Sequence, residues 1–168
     1  LENGDTIISE GAAWIAKDGL SLTLSKPLEI LIADTFGFGT YYPLVDAGCP
    51  LPIENEILEF SNTRLFCTDP REGMAVVEIA KPVKLGRVAP NDARTPLCVT
   101  QVGVDKNAQP LLERINCHLQ IDHDYVVKVV LSSTGQKDET VKEFHDLDFG
   151  LSLLQNSIDG ERDEEENY

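Results

Sequence analysis

In Ile115–Leu131, INCHLQIDHDYVVKVVL, apolar Ile115, Cys117, Leu119 and Ile121 alternate without error with Asn116, His118, Gln120 and Asp122. A period of two puts successive side chains on opposite faces, so this half reads as a strand with one face buried. Asp122-His123-Asp124 is a turn composition, and the valine-rich Tyr125–Leu131 that follows suits a pleated surface, which together predict a β-hairpin.

Working outward, Leu28–Val45 (LEILIADTFGFGTYYPLV) is an apolar run broken by Asp34-Thr35-Phe36-Gly37-Phe38-Gly39 and resumed at Thr40-Tyr41-Tyr42, the pattern of two strands joined by a glycine-relaxed loop. Phe36 and Phe38 fall at the loop tip, where aromatic rings suit a binding surface better than a core, so the stretch reads as the floor and one wall of a groove. Further strands are expected at Ile53–Ser61, Met74–Ala80, Leu97–Val104 and Thr140–Phe144, with loops at Thr63–Gly73 and Lys84–Pro96. Seven or eight short strands punctuated by proline and glycine predict an antiparallel β-sandwich, mainly β, with one short N-terminal helix.

That helix is expected over Asp5–Ala16, where Asp5 is an N-cap, Ile7, Ile8, Ala12 and Ile15 recur at helical spacing, and Gly19 follows the end. Leu20-Ser21-Leu22-Thr23-Leu24-Ser25 alternates strictly before Pro27 and reads as an extended adhesive segment, from which weak self-association is expected. Residues 159–168 carry no apolar side chain before Tyr168 and are expected to be disordered.

A chain of 168 residues can bury roughly 70% of its unfolded surface and needs no staple. Its formal charge of −15 repels phosphate backbones and anionic lipid, so neither nucleic acid nor membrane is an expected partner. Four cysteines without a CxxC pair fit a reducing compartment, and with no leader or membrane-spanning run the expected location is cytoplasmic.

The motifs of chemistry are thin. Asp122, His118, His123 and Asp124 are close in sequence, but a solvated turn has the same composition as a metal site. His145-Asp146 with Ser152 lacks any nucleophile elbow, and no phosphate-cradling glycine motif occurs. The sequence therefore argues for binding and against an enzyme.

The order of these pieces resembles the substrate-binding β domain of the DnaK-type heat-shock chaperones, preceded by the last helix of their actin-like ATPase domain. Ser9-Glu10-Gly11-Ala12-Ala13 is similar to the Gly-Ala-Ala helix closing that ATPase domain, and Gly19–Leu24 stands where the family has its leucine-rich linker before Pro27-Leu28. Leu51-Pro52, Phe60-Ser61, Ile121-Asp122-His123-Asp124 and Thr134-Gly135 resemble further family motifs, and the match spans most of Gly11–Phe144. Tyr125 replaces the family's hairpin glycine, Pro43 interrupts the second strand of the match, and the acidic run stands where the family continues into a helical lid.

The resemblance implies a division into residues 1–19 (ATPase-domain helix), 20–27 (linker), 28–158 (peptide-binding sandwich) and 159–168 (acidic tail). It implies a chaperone module that holds unfolded or extended apolar polypeptides between two strand loops. Its cis partner would be the ATPase domain, where ATP and magnesium would bind; no cofactor is expected in this chain. Carried over by position, Ile32 and Asp34 form a wall, Thr35 and Thr63 an arch, Phe36 lies at the loop, and Phe60, Val76 or Val77, Ile79 and Ile115 line an apolar pocket. Between the two registers of that strand, Val77 and Ile79 inward is preferred, because Glu78 would otherwise bring an unpaired carboxylate into the pocket. Acids at Asp34, Glu54, Glu56 and Glu59 would favour basic flanks on the ligand. The alternative is a structural or regulatory interaction domain of the same fold whose groove has closed, plugged by Phe36 and Phe38.

Overall fold

The computed structural model describes residues 20–33 and 38–153, which are all β with no helix. The helix expected at Asp5–Ala16, the loop residues Asp34, Thr35 and Phe36, and the acidic tail lie outside the described residues. Among the described residues ten strands follow one another: β1 Leu20–Leu24, β2 Leu28–Ala33, β3 Gly39–Val45, β4 Leu58–Phe66, β5 Met74–Pro82, β6 Arg94–Gly103, β7 Arg114–Ile121, β8 Val127–Ser133, β9 Gln136–Phe144 and β10 Phe149–Leu153. Two antiparallel four-stranded sheets form, ordered β3-β2-β5-β6 and β4-β7-β8-β9, and β1 pairs with β10. Contacts divide the chain into a compact unit of residues 22–150 and a second of 1–21 and 151–168; of the latter, only the outer ends of β1 and β10 are described.

The larger unit is held by a main core to which both sheets contribute, with a smaller cluster of Cys67, Val104 and Ile115 beside it. Leu28, Ile30, Val77, Ile79 and Val102 come from the first sheet, and Cys117, Leu119, Ile121, Val127, Val129 and Leu131 from the second. The predicted hairpin is the centre of the second sheet. Its alternation buries Ile115, Cys117, Leu119 and Ile121, and its register runs from Ile115↔Ser133 to Ile121↔Val127. At the turn, Asp122 Oδ1 accepts from the backbone N–H groups of Asp124 and Val126, both at 3.0 Å. Tyr125 there takes φ 62°, a left-handed conformation that glycine adopts more cheaply, and its ring packs on Phe149 with centroids 5.0 Å apart.

Several expectations are corrected. Strand β4 starts at Leu58, because Ile53–Glu56 is a turn closed by Glu56 N to Ile53 O at 3.0 Å, with Asn55 at φ 61°. Its far end reaches Phe66, since Leu65 and Phe66 rejoin β7 after a bulge between Asn62 and Leu65; the expected loop is thus shortened to residues 67–73. Pro43 does not end β3, an edge strand where proline is tolerated, although the β2–β3 register shifts beside it, between Leu28 and Glu29. The leucine run is not wholly available for adhesion: Leu24 is fully buried, Leu22 packs on the core, and Leu24 N and Leu51 N bond Cys49 O and Leu22 O at 2.9 Å. Strand β10 was not expected.

Two ion clusters, each built on a buried charge, tie loops to the sheets. Arg94 Nε donates to Glu29 Oε2 at 2.6 Å, its guanidinium also bonds the carbonyls of Ala89 and Asp92, and Tyr41 covers it with its ring centroid 4.8 Å away. This anchoring starts β6 at Arg94, before the expected Leu97. Lys81, equally buried, donates to Asp146 O at 2.6 Å and lies 3.4 Å from Asp148, which Lys26 also approaches at 3.2 Å.

Arg94→Ala should destabilise the fold by about 3 to 5 kcal/mol, because Glu29 is left as an uncompensated buried charge. The double variant Glu29→Gln, Arg94→Met should recover part of that loss, and denaturant melts of the two proteins measure the difference.

Candidate functional site

The two sheets meet differently at their two sides. On one side β6 and β9 are joined by Thr140 Oγ1 donating to Gln101 O at 3.1 Å. On the other side lie β3 and β4, each an edge strand. Between them opens a cleft of about 170 Å³ lined by Tyr42, Pro43 and Leu44 of β3, Phe60, Ser61 and Asn62 of β4, and Cys117 and Leu119 of β7. By volume alone, the cleft has room for about one bulky side chain.

The lining is mixed: Tyr42, Pro43, Leu44, Phe60, Cys117 and Leu119 stand beside Ser61 and Asn62, and more polar than apolar surface is exposed in the cleft. Phe60 is half-buried and packs on the core, while Ser61 Oγ lies 2.8 Å from His118 Nδ1. Beside it on the outer face, Glu59 accepts from Gln120 Nε2 at 2.6 Å and stays exposed. At the floor, burial pushes the Cys117 thiol up to about 11, with Cys98 adding to the rise, so this sulfur is a packing atom and not a nucleophile at neutral pH. Among the described residues no group of three or more His, Cys, Asp and Glu is placed to hold a metal ion.

The residues singled out in the sequence are partly gathered. Ile32 and Phe60 pack on the core that contains Val77 and Ile79, both at most 5% exposed. Ile115 is buried too, but in a smaller cluster with Cys67 and Val104. Thr63 is exposed at the bulge of β4. Val76 is corrected: it is 66% exposed on the opposite face of β5 from Val77, because a strand alternates. On that outer face Glu78 accepts from Tyr41 Oη at 2.9 Å, and burial, reinforced by this bond, raises the tyrosine's pKa above its ordinary value. Asp34, Thr35 and Phe36 lie outside the described residues.

Sequence reasoning missed Tyr42, Pro43, Leu44, Ser61, Asn62, Cys117 and Leu119 as cleft residues. Pro43 was the available signal, since a proline within a strand marks an edge. The pairing of the β3 edge with the β4 edge across two sheets has no local signature.

Neither the models of known protein families nor the curated proteins contain a match to this chain.

Phe60 and Leu119 line the same cleft at different depths. Leu119→Ala should cost about 2 to 5 kcal/mol, as for a buried leucine. Phe60→Ala should cost less than the roughly 3 to 5 kcal/mol of deleting a buried phenyl group, since its ring is already partly wet. Equal losses in denaturant melts would identify Phe60 as plain core.

Proposed function

We propose that this chain is a polypeptide-binding module of the DnaK-like chaperone kind, taking apolar side chains of extended segments beside Phe60. The observation that carries the reading is the cleft at the β3 and β4 side, with room for about one bulky side chain and flanked by strand edges that no described strand pairs with. Backbone bonds to an edge give sequence-tolerant affinity, and one pocket adds modest selectivity, which is what a binder of many unfolded chains requires. The left-handed Tyr125 further supports the family resemblance, for it holds the conformation favoured by glycine where the resembling hairpins carry one.

The burial of Val77, Ile79 and Ile115 favours a second reading, an interaction domain of the same fold whose groove between the strand loops is closed. Under that reading the chain holds a folded partner and has little affinity for extended peptides. The two readings differ in a simple titration.

A fluorescent peptide with a leucine-rich centre and lysine or arginine flanks should bind saturably in the micromolar range, equivalent to about −8 kcal/mol at 1 μM. Anisotropy measures it. Absence of saturation with this peptide and with its acidic-flanked counterpart would leave the closed-groove domain as the better account.

A further inference from the structure

The hydrogen-bond parity of the second sheet determines which backbone groups of β4 face outward. At the β7–β8 hairpin Asp122 N donates to Val126 O at 3.2 Å, and at the other end Thr134 N donates to Arg114 O at 3.0 Å. In an antiparallel pair, bonded and non-bonded residue pairs alternate, so the even-numbered residues of β7 bond β8 and the odd-numbered ones bond β4. Cys67 N bonding Glu113 O at 2.8 Å follows the same parity. Through the register Leu58↔Ile121, Phe60↔Leu119 and Asn62↔Cys117, those three β4 residues direct their backbone groups to β7. Glu59 and Ser61 direct theirs to the outer edge, where no described strand pairs with them.

We infer that β4 is a strand-addition site for an extended peptide that alternates basic and apolar residues, with Glu59 and Ser61 supplying the main-chain bonds and the adjoining cleft taking an apolar side chain. The inference rests on the polypeptide-binding reading and specifies where and in what register the ligand lies. An antiparallel ligand strand would make bonded pairs at Glu59 and Ser61 and a non-bonded pair at Phe60. Side chains of non-bonded pairs approach most closely, and paired residues share a face. The ligand residue opposite Phe60 therefore points to the core side, against the ring and toward Tyr42 and Leu44. Its neighbours point to the outer face, where exposed Glu59 favours lysine or arginine.

Three features narrow the occupant. The bulge after Asn62 breaks the register, so only Leu58–Asn62 offers a regular ladder and the bound segment is short. The opposite edge, β3, carries Pro43 without an N–H and is the poorer template. A second copy of this chain is disfavoured as occupant, since a chain of formal charge −15 would bring its own acids against Glu59.

The test uses a short synthetic peptide alternating lysine and leucine, its glutamate and leucine counterpart, and the whole chain. Hydrogen exchange of the Glu59 and Ser61 amides should slow on adding the lysine peptide, and the glutamate peptide should bind about tenfold more weakly or worse. Ser61→Pro removes an outward N–H that takes no part in the ladder, so the variant should fold yet bind about tenfold more weakly. Glu59→Lys should reverse the charge preference. If the lysine peptide binds while both amides exchange unchanged and Ser61→Pro binds as well as the parent, strand addition at β4 is overturned and the polypeptide-binding reading survives. If neither peptide binds, both fall together. A dimer in sedimentation that Ser61→Pro dissolves would make a second copy the occupant and would also overturn the proposal.

Discussion

Ile115, Cys117, Leu119 and Ile121 all face one way from a single strand, and the rest of the molecule is arranged to keep that face dry. Strand β7 has a partner on each side, β4 and β8, and its buried face meets the apolar residues of β2, β5 and β6 across the core. Burial of that many branched side chains is worth far more than any one polar contact on the surface. It fixes the register of the second sheet, because a one-residue slip would turn every one of these side chains outward. The same register decides which backbone groups of β4 remain outward.

The polar interior follows a different logic. Glu29, Lys81 and Glu113 are buried charges, and each is answered locally. Arg94 pairs with Glu29; Lys81 meets Asp146 and Asp148; Glu113 accepts from Gly135 N at 2.7 Å. A side chain at residue 135 would come within 3.0 Å of the Glu113 carboxylate, so the glycine there is a space requirement. Such pairs add little net stability but punish the wrong arrangement, since each leaves a bare charge if broken. They lie where loops join strands, and they pin the stretch before β10 and the start of β6.

The proposed function rests on the open side of the fold. One side is joined by a hydrogen bond between β9 and β6, while β3 and β4 stand apart far enough to admit a side chain. Free edges invite unwanted pairing, and each edge here has a feature that limits it: Pro43 on β3 and a bulge on β4. What remains is a short regular ladder beside the cleft, and the proposed capture of an extended segment rests on these two features.

Sequence alone determined that the chain is mainly β and which residues of the central hairpin are buried, because a period of two is local and survives without knowledge of any partner. It also placed Phe60 and Leu58 on one face and set Val77 and Ile79 opposite Glu78 on β5, but Val77 and Ile79 both lie in the core and neither lines the cleft. It could not find the cleft: Tyr42, Leu44 and Asn62 are brought to Phe60 only when two sheets set their edges side by side. Nor could it tell that Leu24 is buried, for an alternating leucine run reads alike whether its face meets water or a core. Strand order, edge position and the pairing of Glu29 with Arg94 are decided by contacts between residues distant in the chain, and such contacts exist only after the chain has closed on its core.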